Sequence, residues 1–333
     1  MNVLLIGAGA VGQAYGRHFH LGGANVTFYV RPKYADETRK GFAMYPLNER
    51  KAEMGPVRFD DFNVITNFSD AADTKWDFVV LCMSSTALRK GTWLDELVAV
   101  IGEATVVSLC PGLKDNAFVL QRVPKERAVF GLIGLSSYPG PLEGESLPSP
   151  GMVYWIPPAT KMAFSGPDDR TSEVVKLLTS GGLKSKQVKD TAVTAAFASP
   201  ILQMVIVGLE LVGWKFKAMR KNKPMMKNSY QAMRESFSIA EALLDTKTPF
   251  ALRLIRPWNL RLILRLIPHV VPFDMERFFE KHFTKVGDQT EDNLATLVSL
   301  AKAENNSHVA LQSLHQQLEN LRAKTAGRAA SEA

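Results

Sequence analysis

After Asn2, Val3-Leu4-Leu5-Ile6 is an unbroken apolar run ending in a β-branched residue, the pattern of a short strand covered on both faces. Gly7-Ala8-Gly9-Ala10-Val11-Gly12 follows at once. Gln13 to Leu21 then carries helical spacing, and Asn25 to Val30 returns to a strand pattern. Three more apolar runs, Trp76–Met83, Ala104–Cys110 and Ala128–Gly134, predict strands, and Leu94–Ile101 predicts an amphipathic helix between two of them. Strands alternating with helices predict a doubly wound parallel sheet. The Pro-, Gly- and Ser-rich stretch Pro139–Pro150 reads as loop, and Met152–Ile156 with Lys161–Gly166 reads as a hairpin. From about Asp190 the composition shifts to helix formers and no further strand is expected. The expected domains are 1–180 (α/β), 181–325 (all-α, for substrate binding or dimerisation) and a frayed tail over 326–333.

The glycines give the first unit a chemistry. Met1 to about Tyr34 reads as a Rossmann-type dinucleotide-binding unit, because the glycine turn lies between a strand and a helix and a second strand follows. Gly7 permits the tight turn, Gly9 lets backbone N–H groups approach a pyrophosphate, and Gly12 lets the helix lie close to the strand. The helix start, with Ala10 and Val11 in its first turn, then faces the anion. The end of the second strand discriminates between cofactors. NAD binders usually place an acid there for the ribose 2′-hydroxyl, whereas this chain reads Val30-Arg31-Pro32-Lys33 with no acid before Asp36. A guanidinium pairs bidentately with a 2′-phosphate, so Arg31 favours NADP(H), with Lys33 a second candidate. Ligands of such sheets sit at the carboxyl ends of the strands, which places Met83, Ser84, Ser85 and Cys110-Pro111-Gly112 beside the cofactor.

Composition narrows the class. A chain of 333 residues with 46% hydrophobic content suits two globular domains. The net charge of +7 and pI near 9.3 fit anionic ligands. No basic cluster interleaved with aromatics points to nucleic acid. Cys82 and Cys110 end apolar runs and read as small buried hydrophobes in a reducing, cytoplasmic setting. The six histidines show no zinc spacing, so no metal is expected. His18 and His20, two apart on a helix, face different sides. No signal peptide is expected, since a glycine turn directly follows residues 2–6 and no basic segment precedes them. Residues 191–209 carry no charge and approach the length of a membrane span, but Pro200, Gln203 and several hydroxyl residues favour a core helix.

The segment Phe250–Phe273 stands apart. No acid occurs between Asp245 and Asp274, and Arg253, Arg256, Arg261 and Arg265 recur at three- to five-residue intervals among Leu, Ile and Trp258. Pro257 and Pro268 divide it. It reads first as a helical hairpin buried in the domain or a homodimer interface, second as the lining of a pocket for an apolar anionic substrate, and third as a membrane-surface helix.

Taken together, the turn Gly7–Gly12, Arg31, the strand ends at Met83 and Pro111-Gly112, the 151–166 segment and a helical C-terminal domain resemble the ketopantoate reductase (2-dehydropantoate 2-reductase) family. Gln289-Thr290-Glu291-Asp292-Asn293 resembles its Thr-Glu-x-Asp signature, with Asn293 in place of the Asp. The resemblance implies hydride transfer from NADPH to the ketone of a 2-keto acid. It also implies a lysine on the first long C-terminal helix as proton donor, with asparagines and a Glu binding substrate. Ser199-Pro200 matches the family's Asn-Pro. Counted from there, the lysine position falls on Thr191 and the helix asparagine on Ala195. The strand-end lysine falls on Ser84, and the family's His-Asn-Gly on Cys110-Pro111-Gly112. Of the catalytic set Glu291 alone survives; Lys285 and His282 are weaker alternatives for an acid, while Lys189, two residues from Thr191, is expected to point to the other side of the helix. Thr191 is a poor acid at neutral pH, so the expected substrate is a 2-keto acid or related carbonyl other than ketopantoate. The alternative expectation is an NADP(H)-binding protein without hydride transfer, acting as a redox sensor or a membrane-peripheral partner.

Overall fold

Strand β1 (Asn2–Ile6) alternates its side chains between two faces that are both buried from Val3 on, and this explains why Val3 to Ile6 are all apolar. Val3 and Leu5 join one hydrophobic cluster and Leu4 and Ile6 another. A computed structural model describes residues 1–110 and 114–332, with side chains through 325. Two compact units divide it, Met1–Thr191 and Ala192–Ala333.

In the first unit β1 is followed by α1 (Ala10–Leu21), β2 (Asn25–Tyr29), α2 (Ala35–Arg39), β3 (Phe42–Pro46), β4 (Val57–Phe59), β5 (Asn63–Ile65) and β6 (Phe78–Leu81). Next come α3 (Ser85–Leu88), α4 (Trp93–Val100), β7 (Thr105–Ser108), α5 (Asp115–Leu120) and β8 (Ala128–Leu132). The unit closes with β9 (Ser136–Gly140), β10 (Gly151–Trp155), β11 (Met162–Ser165), α6 (Asp168–Ser180) and β12 (Ser185–Gln187). The large sheet has the order β12-β11-β8-β7-β6-β1-β2-β5 and is parallel except where β11 meets β8. One face carries the α1 residues Ala14, Tyr15 and Phe19, and the other the α4 residues Leu94 and Leu97. Phe19, Leu94 and Leu97, fully buried, each stabilise by about 1.5–3 kcal/mol.

The expected hairpin over 152–166 does not form. Its first half, β10, belongs to a second sheet of order β4-β3-β10-β9, parallel to β3 and antiparallel to β9. Its second half, β11, joins the large sheet. Two apolar runs with a short connection suggest pairing, but Pro157-Pro158 carries the chain from one sheet to the other. Buried Arg17 of α1 ties the second sheet down. Its guanidinium donates to both carboxylate oxygens of Glu49, at 2.7 and 2.8 Å, and to the Tyr154 hydroxyl at 2.6 Å. Strand β12, which the sequence pattern did not reveal, pairs with β11 and extends the first unit beyond residue 180 to Thr191.

In the second unit α7 (Thr191–Leu211, beginning on the last residue of the first unit) leads to α8 (Phe216–Lys221), α9 (Lys223–Leu244), α10 (Phe250–Arg253) and α11 (Pro257–Val270). Then follow α12 (Met275–Lys285), α13 (Gly287–Ala303) and α14 (Val309–Glu332). Helical spacing delivers one buried row from each long helix: Phe197, Met204 and Val207 of α7, Met233 and Phe237 of α9, Leu294 and Leu297 of α13, and Leu311, Leu314 and Leu318 of α14. By length and composition α7 could cross a membrane, and it contributes that row to the core of this unit.

Candidate cofactor site

The glycine turn closes against the ends of β2 and β6. Gly7 donates to the Tyr29 carbonyl at 3.0 Å and Cys82 donates to the Ile6 carbonyl at 3.1 Å. Gly7 has φ +106°, a conformation side chains rarely adopt. A Cβ there would also lie 3.0 Å from the Cys82 carbonyl oxygen. A Cβ on Gly12 would collide with the Gly7 carbonyl oxygen, so α1 could not stay seated against the turn. Both glycines are thus accounted for by local packing.

Gly9 is not. Its backbone is ordinary for any residue (φ −74°, ψ −173°), it is exposed, and a Cβ would meet nothing within 4 Å. Gly9 is the N-cap of α1, with no side-chain cap and no acid in the first turn. The helix start, over Ala10, Val11 and Gly12, therefore presents backbone N–H groups and the positive end of its dipole to open space, an anion-binding arrangement. The residues fit a dinucleotide pyrophosphate, because the chain itself has no need for the space that Gly9 leaves.

Arg31 follows β2 and Val30, and it is exposed. Its Nη2 donates to the Tyr34 hydroxyl at 3.4 Å, and its guanidinium carbon lies 5.2 Å from the Tyr34 ring centre. Lys33 lies over the same ring at 4.8 Å. Both cations lower the Tyr34 hydroxyl pKa, Lys33 more strongly. The first acid after β2, Asp36, lies on α2, where Arg39 pairs with it at 3.1 Å.

At the end of β6 Met83 and Ser84 are half-buried, and Ser84 caps α3 by accepting from Ala87 N–H at 3.3 Å. Ser85 donates to Asp115 at 2.5 Å, and Asp115, fully buried, also lies 3.6 Å from Arg89 Nε. This cluster ties the β6–α3 connection to α5. No sequence motif announced it. Pro111 and Gly112 lie outside the described residues. Burial pushes the Cys82 thiol well up and, helped by Asp115, the Cys110 thiol to about 12, so both are inert packing groups.

The residues carried over for substrate chemistry have structural partners. Thr191, buried at the start of α7, donates its N–H to Ser165 Oγ at 3.0 Å, and the two hydroxyls lie 2.8 Å apart. Lys189 is exposed in the connection before α7, not on the helix. His282 sits between Phe278 and Phe283. Burial, and then Lys285, lower its pKa, which leaves it neutral and a poor acid at neutral pH. In the second unit Arg322 donates to both oxygens of Glu210, at 2.9 and 3.0 Å, and to Glu291 Oε2 at 3.0 Å. Glu291 is thus held on α13 with its side chain 39% exposed, which leaves it open to a ligand. One ligand atom each from Glu291, His315 and Glu319 come within 4.8 Å of one another, a grouping on α13 and α14 that the sequence did not suggest. Arg322, already beside Glu291, works against a cation there.

Residues 3–140 match the model of the ketopantoate reductase PanE/ApbA family. Nothing among curated protein sequences matches the chain. Solved structures share the fold over nearly its whole length. A D-mandelate dehydrogenase, determined with NADH and anilino(oxo)acetate, superposes with a TM-score of 0.72 at 12% identity, over 97% of this chain and 99% of that one. A PanE/ApbA family ketopantoate reductase from Ralstonia eutropha JMP134 gives 0.71 at 14%, over 97% and 99%. The 2-dehydropantoate 2-reductase of Geobacter metallireducens GS-15 gives 0.70 at 17%, over 96% and 99%. Residues 3–140 thus share family-level homology with the ketopantoate reductases, and over the rest of the chain the likeness to these structures is one of fold.

Proposed function

We propose that the protein is an NADP(H)-dependent oxidoreductase that reduces a small 2-keto acid or related carbonyl other than ketopantoate. The observation that carries the cofactor is Gly9, whose missing side chain leaves an uncapped helix start open although nothing in the chain requires it. Arg31 and the absence of an acid at the end of β2 favour a 2′-phosphate over a free 2′-hydroxyl. The mandelate dehydrogenase of the same fold was determined with NADH, so the choice between the two cofactors rests on Arg31.

The bound nicotinamide supplies the hydride. The chain's part is to hold the pyrophosphate at the start of α1 and the ribose phosphate at Arg31, and to bind the substrate, for which Glu291 is the candidate contact. Reduction also needs a proton for the developing alkoxide. Thr191 does not suit that role, since its hydroxyl is engaged with Ser165. That contact also supports a second reading, an NADP(H)-binding protein that transfers no hydride. The two separate in one assay. Purified protein is mixed with NADPH and a panel of 2-keto acids, and loss of NADPH absorbance is followed. The enzyme reading predicts turnover of at least one carbonyl, with ketopantoate inactive. Tight NADPH binding without turnover of any carbonyl supports the second reading, and rapid turnover of ketopantoate contradicts the assignment of the lysine position to Thr191.

A further inference from the structure

The basic apolar segment is not a buried hairpin. On α11 only Leu260 and Leu264 are buried. Trp258 is 66% exposed and Val270 62%, with Leu262, Ile263 and Leu266 near half. Phe250 of α10, and Leu254 just after it, are also open. Trp258, Leu262 and Leu266 recur every four residues, so they share one outward face of α11. Arg261 and Arg265, three residues after Trp258 and Leu262, border that face. Arg253 and Arg256 belong to the turn that precedes it. No acid lies between Asp245 and Asp274, and among the described residues none of these four arginines sits in an ion pair.

We propose that α10 and α11 dock this protein onto an anionic lipid surface. The outward Trp and Leu side chains enter the boundary between headgroups and acyl chains, and the arginines meet the phosphates. Charge decides against a second copy of the chain as the occupant. A two-fold contact sets the same patch against itself, which brings arginines together with no acid in the segment to offset them. An anionic bilayer offers both what the apolar face lacks and what the arginines lack. Attachment is peripheral: α11 lies along the surface, and its inner residues Leu260 and Leu264 stay in the protein core.

Flotation of the full-length protein tests this, with vesicles of phosphatidylcholine alone and of phosphatidylcholine mixed with phosphatidylglycerol. The protein is expected to float with the mixed vesicles and not with the neutral ones. Neutralising two open arginines (R256Q/R265Q) should weaken partitioning about fivefold per charge, roughly 25-fold together. Removing apolar contacts (W258S/L262S) should weaken it at least about tenfold. All four positions are exposed, and the bonds that Arg256 Nη1 donates to the Arg253 and Ile255 carbonyls also lie at the surface, so thermal unfolding should change little and loss of binding will not reflect loss of fold. The proposal is overturned if the wild type does not float with anionic vesicles, or if neither variant alters flotation. It is also overturned if sedimentation shows a dimer that W258S/L262S dissociates, for the face then belongs to a second copy.

Discussion

Gly9 and Gly12, on the same turn, should respond differently to the same methyl group. In Gly12→Ala the new Cβ falls closer than 3.0 Å to the Gly7 carbonyl oxygen, a separation that real Cβ atoms essentially never show. That oxygen is backbone, in a turn fixed by φ +106°, and cannot rotate aside. Overpacking of this kind costs about 1–3 kcal/mol. Alanine returns about 1 kcal/mol in helix propensity. With the clash near the top of its range the net loss is about 2 kcal/mol, a fall in Tm of about 4–8 °C for a unit of this size. In Gly9→Ala the methyl meets nothing. The cost is the poorer N-cap, about 0.5–1 kcal/mol, or a fall of about 1–4 °C. Its effect on the cofactor is large, because the methyl occupies the approach to the helix start. Each charge-assisted hydrogen bond lost there is worth about 1.5–3 kcal/mol, so NADPH affinity should drop at least about tenfold. The assay pairs thermal unfolding without ligand with NADPH titration by calorimetry. Gly9→Ala should keep its fold and lose its ligand, while Gly12→Ala loses stability as well. Undiminished NADPH binding by Gly9→Ala refutes the reasoning, since the pyrophosphate would then not lie on this turn.

Three further outcomes are expected. Arg31→Ala should weaken NADPH binding about tenfold and leave NADH nearly unchanged, because it removes a partner of the 2′-phosphate alone; equal losses for both cofactors in parallel titrations contradict this. Buried His18 donates from Nδ1 to the Gly181 carbonyl at 2.8 Å, and its buried Nε2 has no hydrogen-bond partner among the described residues. Burial lowers its pKa in the folded state. The unfolded chain, with an imidazole pKa of about 6.5, therefore takes up a proton that the folded unit refuses. This contribution is complete above that pH and is lost as the pH falls toward the folded value. Tm measured across this range should decline toward acid, less steeply in His18→Gln; the same slope in both proteins counts against the buried imidazole. Arg322→Ala leaves Glu210 without its bidentate partner and should destabilise the protein by about 1–3 kcal/mol in urea unfolding; an unchanged midpoint means that the cluster is surface decoration.

Legibility in the sequence followed the range of the interactions. The turn and its two flanking strands were readable because glycine, strand and helix signals fall within about thirty residues, each with its own local cause. The alternation of strands and helices likewise gave the parallel sheet. The second sheet was hidden. Its strands β3 and β10 come from distant parts of the chain, and β10 and β11 carry the same apolar signature although they enter different sheets. Strand β12, Ser-Lys-Gln, has no apolar pattern at all, since it lies at a sheet edge. On α11 the spacing marked an amphipathic helix but not which apolar residues face inward. Leu260 and Leu264 went to the core while Trp258, Leu262 and Leu266 stayed outside, a choice made by packing against α8 and α9. The substrate residues were the least legible. A general acid is defined by what surrounds it, and the partners of Thr191 and Glu291, which are Ser165 and Arg322, come from parts of the chain that no local motif connects to them.

The central claim is that the turn from Gly7 to Gly12, read out by Arg31, binds a phosphorylated nicotinamide dinucleotide. Calorimetric titration of the wild-type chain with NADPH and, separately, NADH tests it most directly. One saturable NADPH site per chain, at least about tenfold tighter than NADH, is the predicted result. Binding of neither cofactor contradicts the account, and equal binding of both contradicts the role given to Arg31.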